Sequence, residues 1–475
     1  MVGFWFSLFG ILGIEQEALA EKPSRKEQIA LTRCYPHPMF SEAFCGHYSV
    51  PEDRSISDGR KVEINIMMIP SVRANAQLDP IFVFAGGPGQ GAVEVASSVM
   101  PSLLKMNQKR AIIFIDQRGT GKSNPLHCEL RDTNIEEVPK EELKHCLTEL
   151  EADTRMYQTQ ILAQDTAEIQ QQLGFEKINI YGVSYGTRLG LSYLRQYPDL
   201  VRSAVLDGVA PLDIPIGSDH GLGARKALQA LLLDCMADEP CRETFPELKK
   251  ELEALELQLK EEERTIFYKD AKTFETQEII LSRDLLWSVL QQMLYEPMAS
   301  SMIPFVIHQA YQNDWSSFMA WSQLGEETMS SIPIGLYLSV VCAEDVPRIK
   351  ESVAFTDQLA GRTVSALKDM CSVWESGAVE KTFFAPVSSD IPMLLLSGEY
   401  DPVTPPSNGE QALKTLSNAT HLVVPGAGHN TLRTECVLNI VREFIEEIDP
   451  KQIETSCVSQ QKRPPFVIST AGTMP

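Results

Sequence analysis

Positive charge is scarce in this chain: 42 Lys and Arg stand against 64 Asp and Glu, a formal net charge of −22. Such a surface repels phosphate backbones and anionic lipid, so nucleic acid is not an expected partner; it can attract cationic ligands such as a free amino terminus, although abundant surface carboxylate more often serves solubility. Beyond the first residues no run of 18 apolar residues occurs, so no stable membrane insertion of the mature chain is expected. No cysteine pair has C-x-x-C spacing and no histidine cluster attends one, so no metal site is expected. The glycine turns lack a complete G-x-G-x-x-G, and Gly119-Thr-Gly-Lys-Ser123 is too short for a G-x-x-x-x-G-K-[ST] phosphate loop; no cofactor is implied. No repeat of fixed period is visible.

What is present suits a large globular α/β protein. A chain of 475 residues that is 43% hydrophobic can bury an extensive core, as two compact units or as one domain with a big insertion. The N-terminus, Met1 to Ile14, is apolar and is followed by Ala18-Leu-Ala20 and the polar Glu21-Lys-Pro-Ser24. An apolar stretch ahead of an A-x-A site reads as a signal peptide covering residues 1–20, although its start lacks Lys and Arg and an uncleaved anchor is the alternative. Export to a periplasmic or extracellular setting is therefore expected. Ten cysteines fall into sequence neighbours: Cys34 with Cys45, Cys128 with Cys146, Cys235 with Cys241, Cys342 with Cys371, and Cys436 with Cys457. Disulfides across such short loops suit an oxidising compartment, but spacing alone does not prove the pairing.

Short apolar runs that end in glycine or aspartate mark the strands. Residues 62–69 read as a strand at the edge of a sheet. Ile81–Ala85 runs into Gly86-Gly-Pro-Gly-Gln-Gly91, Ala111–Ile115 into Asp116-Gln-Arg-Gly119, Lys177–Tyr181 into Gly182-Val-Ser-Tyr-Gly186, and Ser203–Asp207 into Gly208. Their brevity and branched residues favour buried strands, and the helical patterns between them predict a mostly parallel sheet flanked by helices. From about Pro215 to Pro386 helical patterns dominate, at 223–235, 246–263, 283–294, 299–311 and 351–370. Residues 215–386 are thus expected to form a helical cap inserted into a catalytic domain made of 21–214 and 387–475. The strand pattern resumes at Ile391–Ser397 and His421–Pro425, and a helix is expected near 431–447.

Gly182-Val-Ser184-Tyr-Gly186 lies between a strand and a helix, the context that raises a serine hydroxyl on a tight turn. A serine is a poor nucleophile until a base accepts its proton. His429, in Pro425-Gly-Ala-Gly-His-Asn430, follows the last strand and is the candidate base; the other histidines lie near cysteines or at the entry to the helical segment, in a helix pattern (His308) or at a strand start (His421). Asp401, in Gly398-Glu-Tyr-Asp-Pro-Val-Thr-Pro405, follows the preceding strand and can orient the imidazole, with Glu399 as its competitor. Ser184, Asp401 and His429 occur in nucleophile–acid–base order. Backbone N–H groups of Gly87, or alternatively Gly86, and of Tyr185 are the candidate oxyanion donors. Asp116 and Arg118 are read as loop braces. This set supports two-step acyl transfer on short peptides or small amide and ester substrates.

Together with Asp116-Gln-Arg-Gly-Thr-Gly-Lys-Ser123, Gly182-Val-Ser-Tyr-Gly-Thr-Arg188, Val205-Leu-Asp-Gly-Val209, Asp401-Pro-Val-Thr-Pro405 and Gly426-Ala-Gly-His429, these motifs resemble the proline iminopeptidase and tripeptidyl aminopeptidase branch of the α/β-hydrolases over residues 45–450. The resemblance implies an α/β-hydrolase fold and a serine exopeptidase that removes residues from a free N-terminus beneath a helical cap. It also implies acidic groups that bind the substrate amine, for which Glu344 and Asp345 are the candidates. Where the family often has histidine before the Gly-Gly-Pro-Gly turn, this chain has Ala85. The main rival is a carboxylesterase or other small-molecule hydrolase, because the same three groups attack esters. A noncatalytic protein that keeps the fold is the second.

Overall fold

The computed structural model describes residues 29–37, 42–130, 138–217, 220–269, 273–330, 332–350 and 358–472; the expected leader lies outside them. In chain order the strands are β1 (Thr32–Cys34), β2 (Ala43–Pro51), β3 (Lys61–Ile69), β4 (Ile81–Phe84), β5 (Ile112–Ile115), β6 (Ile178–Val183), β7 (Val201–Asp207), β8 (Arg264–Lys269), β9 (Thr276–Leu281), β10 (Met393–Gly398) and β11 (Ala419–Val424). Nine of them form one sheet in the order β1-β2-β3-β5-β4-β6-β7-β10-β11, and β8 with β9 make a separate hairpin. β5, β4, β6, β7, β10 and β11 are mutually parallel, and β1, β2 and β3 join antiparallel.

The parallel strands are apolar on both faces because helices cover both. Phe82, Phe84, Ile113 and Ile180 point towards the helices Thr159–Gln172 and Tyr185–Gln196, where Leu162 and Leu189 meet them. Ile81, Val83, Ile112 and Phe114 point the other way, to Met100 and Leu103 of Ala96–Asn107 and to Val437 and Phe444 of Glu435–Glu447. Each such fully buried side chain contributes about 1.5–3 kcal/mol relative to exposure. The expectation that residues 62–69 lie at the sheet edge is corrected: β3 pairs with β2 on one side and β5 on the other. The edge position passes to β1, because the preceding segment folds back as two strands.

After β7 the chain leaves the sheet and returns to it only at β10. The intervening segment is largely helical, with Leu248–Glu261 burying Leu248, Leu252, Leu255 and Leu259 on one stripe. The hairpin β8-β9 interrupts it, an element the helical reading did not include. The expected helix over 299–311 is two, Pro297–Ser300 and Ile303–Tyr311, the second beginning with Pro304 in its first turn, where a missing N–H costs nothing. Leu231, Phe245, Leu255, Trp287 and Leu290 share a core of their own, which Tyr400, Phe466 and Ile468 join from the returning chain. All ten cysteines pair with their sequence neighbours: Cys34–Cys45, Cys128–Cys146, Cys235–Cys241, Cys342–Cys371 and Cys436–Cys457.

Candidate active site

Parallel strands present their carboxyl ends at one edge, and the loops that leave this edge carry the candidate residues. Ser184 follows β6 and precedes the helix Tyr185–Gln196, with φ 57° and ψ −124°. A non-glycine residue there stores on the order of 1–3 kcal/mol, which the surrounding packing must hold in place. Its N–H donates to the Asp207 carbonyl at 2.9 Å, which ties the turn to the end of β7. Gly186 makes the close packing possible, since a Cβ there would fall 1.9 Å from the Phe84 carbonyl oxygen. The serine itself is only half-buried, so it stays within reach of a substrate.

Asp401 and His429 meet across the loops after β10 and β11. His429 Nδ1 lies 2.8 Å from Asp401 Oδ2, and both residues are buried. Asp401 Oδ1 accepts the N–H groups of Val403 and Thr404 at 3.0 and 2.8 Å, so the carboxylate is held at both oxygens. Burial opposes charge on the imidazole, but the Asp401 charge and hydrogen bond, with Asp207 and Glu296 behind them, outweigh it and raise the His429 pKa above its ordinary value. With Nδ1–H pointed at Asp401, Nε2 is the nitrogen left to take a proton. No hydrogen bond joins Ser184 Oγ to His429 among the described contacts. Gly208 directly follows the Asp207 carbonyl that holds the Ser184 N–H, and it adjoins the imidazole: a Cβ there would lie 3.1 Å from His429 Cε1, and its φ of 70° also requires glycine.

Glu399, the competing acid, accepts the N–H of Gly426 at 2.9 Å and braces the histidine loop instead. A Cβ on Gly86 would lie 3.2 Å from Ser184 Cβ, so the glycine turn after β4 passes over the elbow, with Gly87 next to it at φ 108°. Tyr185 opens the helix behind the serine, and its hydroxyl is 2.7 Å from Thr159 Oγ1. Glu344 and Asp345 are wholly buried and have internal partners. Glu344 accepts the N–H and hydroxyl of Thr159 at 2.7 and 2.8 Å; Asp345 accepts Arg188 Nη1 at 2.7 Å and the N–H of Ile216 at 2.8 Å. Burial pushes Glu344 up to about 7 against the opposing charge of Arg188. Asp116 accepts from Asn65, Val93 and Lys122, and Arg118 pairs with Asp165 at 2.6 Å, so both hold loops.

Two residues of the site escaped the sequence reading. Thr404 Oγ1 donates to Asp401 Oδ2 at 2.6 Å and sits 3.1 Å from His429 Nδ1, so its oxygen can share the imidazole N–H with the carboxylate. Its signal was its position three residues after the acid, in a motif read only as a turn. Tyr295, from the inserted segment, accepts the N–H of His429 on its carbonyl at 3.0 Å and sets its ring edge-on to the imidazole at 4.9 Å. No local pattern announces a contact between residues so far apart in sequence. Thr404→Val keeps the shape and removes the hydroxyl. It is expected to lower kcat/KM by roughly tenfold, the worth of one charge-assisted hydrogen bond, with KM little changed. Steady-state kinetics on a small amide substrate checks this, and wild-type kinetics in the variant would mean that Thr404 only fills space.

A parallel sheet that carries a serine elbow, with a carboxylate–imidazole pair on the two loops beyond it, defines a serine hydrolase. The chain belongs to the α/β-hydrolase fold family, whose profile matches residues 79–435. It is similar to serine protease Hip1 of Mycobacterium tuberculosis, at 26% identity over 223 residues, 42% of each chain. It is also similar to the tripeptidyl aminopeptidase of Streptomyces lividans, at 28% over 191 residues, 35% of each, and to the proline iminopeptidase of Neisseria gonorrhoeae, at 28% over 131 residues, 27% of this chain and 32% of that one. Each match spans less than half the length of the relative. Among solved structures, the proline iminopeptidase of Mycobacterium smegmatis aligns over 85% of this chain and 99% of its own, at 16% identity and a TM-score of 0.39.

Proposed function

We propose that the protein is an exported serine exopeptidase that hydrolyses peptide amide bonds near a free N-terminus, in the manner of a proline iminopeptidase or tripeptidyl aminopeptidase. The observation that carries the hydrolase part of this reading is the 2.8 Å Asp401–His429 contact at the same sheet edge as the Ser184 elbow. In the proposed course His429 Nε2 takes the proton of Ser184 as Oγ attacks the carbonyl. The N–H groups of Tyr185 and Gly87, or Gly86, hold the oxyanion; His429 then protonates the departing amine, and water repeats the cycle to release the acid. The peptidase names of the relatives favour peptides over simple esters. Residues 21–214 and 387–475 act as the catalytic unit and 215–386 as its cap; a separate apolar core drawn from Ala227 to Met319 supports this for the first part of the insertion, while Leu336, Val340 and Phe383 pack into the core of the sheet. Amine binding by Glu344 would require displacing Thr159, whereas Asp345 keeps Oδ2 without a hydrogen-bond partner but sealed from solvent, so amine preference rests on a direct measurement.

That measurement is a matched panel of Pro-, Ala- and tripeptidyl-amides with free and acetylated N-termini, beside simple esters. Acetylation is expected to lower kcat/KM by roughly 100-fold or more, the cost of losing a charge-assisted contact of about 3 kcal/mol. Ester turnover that is faster and indifferent to the amine would establish the carboxylesterase reading instead. Export is supported by five disulfides, which persist in oxidising compartments. The mature protein from its native cell is expected to begin at Glu21; an intact mass that retains the first 20 residues would overturn cleavage there.

A further inference from the structure

Asp207 is a charged residue beside this site that the proposed mechanism leaves idle. It ends β7, the strand between the elbow strand β6 and the acid strand β10, and it is wholly buried. Its carbonyl accepts the Ser184 N–H at 2.9 Å. Its carboxylate accepts from Thr431, two residues beyond His429: Thr431 Oγ1 donates to Oδ1 at 2.8 Å, and the Thr431 N–H lies 3.3 and 3.2 Å from the two oxygens. Tyr181 adds its hydroxyl to Oδ2 at 3.4 Å. One residue therefore grips the backbone of the nucleophile with its main chain and the loop of the base with its side chain. The sequence motif Val205-Leu-Asp-Gly-Val209 contains it, together with the glycine that lets His429 approach.

No Lys or Arg pairs with Asp207 among the described ion pairs, although a buried carboxylate without a cation is costly. The cation it meets is made during the reaction, when His429 becomes an imidazolium. We propose that Asp207 is a positioning residue that sets the Ser184–His429 register and gives the imidazolium a second fixed negative charge. This rests on the reading of Ser184, His429 and Asp401 as the reacting set.

The groups around His429 divide the work. Asp401 and Thr404, from the loop after β10, are the hydrogen-bond partners of His429 Nδ1. Tyr295 and Glu296 come from the inserted segment, Glu296 being paired with Arg433 on the histidine's own loop. Asp207 comes from β7 and acts through space as well as through Thr431. Burial raises its own pKa to about 6, with Thr431 and the charge of His429 opposing. A carboxyl whose folded pKa lies above its unfolded value stabilises the fold most at low pH and loses that advantage as pH rises through the folded pKa, so ionised Asp207 is a burden to the folded chain at neutral pH. A neutral amide in its place is thus expected to leave Tm at pH 8 unchanged or higher, so the variant remains measurable.

The test compares the full-length wild type with Asp207→Asn and Thr431→Val. An aryl fluorophosphonate carried to end point counts reactive Ser184, and turnover of a peptidyl-amide is expressed per titrated serine from pH 5 to 9. Asp207→Asn is expected to lower turnover per serine by roughly tenfold or more, tenfold being what one unit of imidazolium pKa is worth. KM should change little, and the acid limb of kcat/KM should move to lower pH because the imidazolium has lost a negative neighbour. Thr431→Val, which keeps the charge and loses one tether, is expected to lower turnover per serine while leaving the acid limb in place. Wild-type turnover per serine and an unmoved acid limb in Asp207→Asn would overturn the proposal, whatever happens to Tm. Should Asp207→Asn fail to fold, unchanged turnover in Thr431→Val would overturn the positioning role. Failure of the wild type to be labelled on Ser184 would instead remove the reacting set on which the proposal stands.

Discussion

Ser184→Ala is expected to lower turnover by roughly 10⁴- to 10⁶-fold, leaving only what oxyanion donors and binding supply without a nucleophile. The fold should not register the change. The Ser184 side chain caps no helix N–H, and the bonds that hold the turn, from its N–H to Asp207 and from the Thr187 N–H and hydroxyl to its carbonyl, use only the Ser184 main chain, which alanine keeps. Alanine also retains the Cβ that already occupies the positive-φ position. Turnover and thermal unfolding on the same purified samples check both halves. Turnover close to wild type would remove the nucleophile assignment and with it the acyl-enzyme course.

Asp401→Asn is expected to cost about 10⁴-fold in kcat, with the backbone of the loop preserved. The reason lies in how the two carboxylate oxygens are used. Oδ1 accepts the N–H groups of Val403 and Thr404, and an asparagine carbonyl placed there would keep both. The amide nitrogen would then occupy the place of Oδ2, where the Thr404 hydroxyl and His429 Nδ1 now converge. A donor there favours the tautomer with the proton on Nε2, which cannot receive one from serine. The lost charge also lowers the His429 pKa, whose elevation Asp401 sustains against burial. kcat and unfolding together test this: a loss below about tenfold would pass the orienting role to another carboxylate of the site, Asp207 or Glu296.

Much of the sheet was legible because its central strands are short, branched and stopped by glycine or aspartate at the edge where the site lies. β4, β5, β6, β7 and β10 all carry that mark. β1 and β2 do not: Ala43–Pro51 mixes glycine, histidine and serine among its apolar residues, and its half-exposed pattern resembles a loop. Their omission is why β3 looked like an edge. The hairpin β8-β9 was hidden for a related reason, since a ribbon exposed on one face, Arg264–Lys269 beside Thr276–Leu281, carries too few buried positions to stand out among helices. The cysteine pairs were readable as neighbours, and their bonding only from the folded chain.

For the site, the amino-acid sequence by itself determined the kinds of group available and their order along the chain. A serine between glycines at a strand–helix junction, an aspartate after one later strand and a histidine after the next follow from local rules of turn, cap and period. Only the tertiary structure decided who holds whom. Asp207 and Thr431 are 224 residues apart, Glu344 and Thr159 185, and nothing in their immediate neighbours specifies the meeting. Those contacts arise because parallel strands bring their carboxyl ends to one edge and the inserted segment packs back over it. Buried polar atoms must then find partners wherever in the chain the folding has put them.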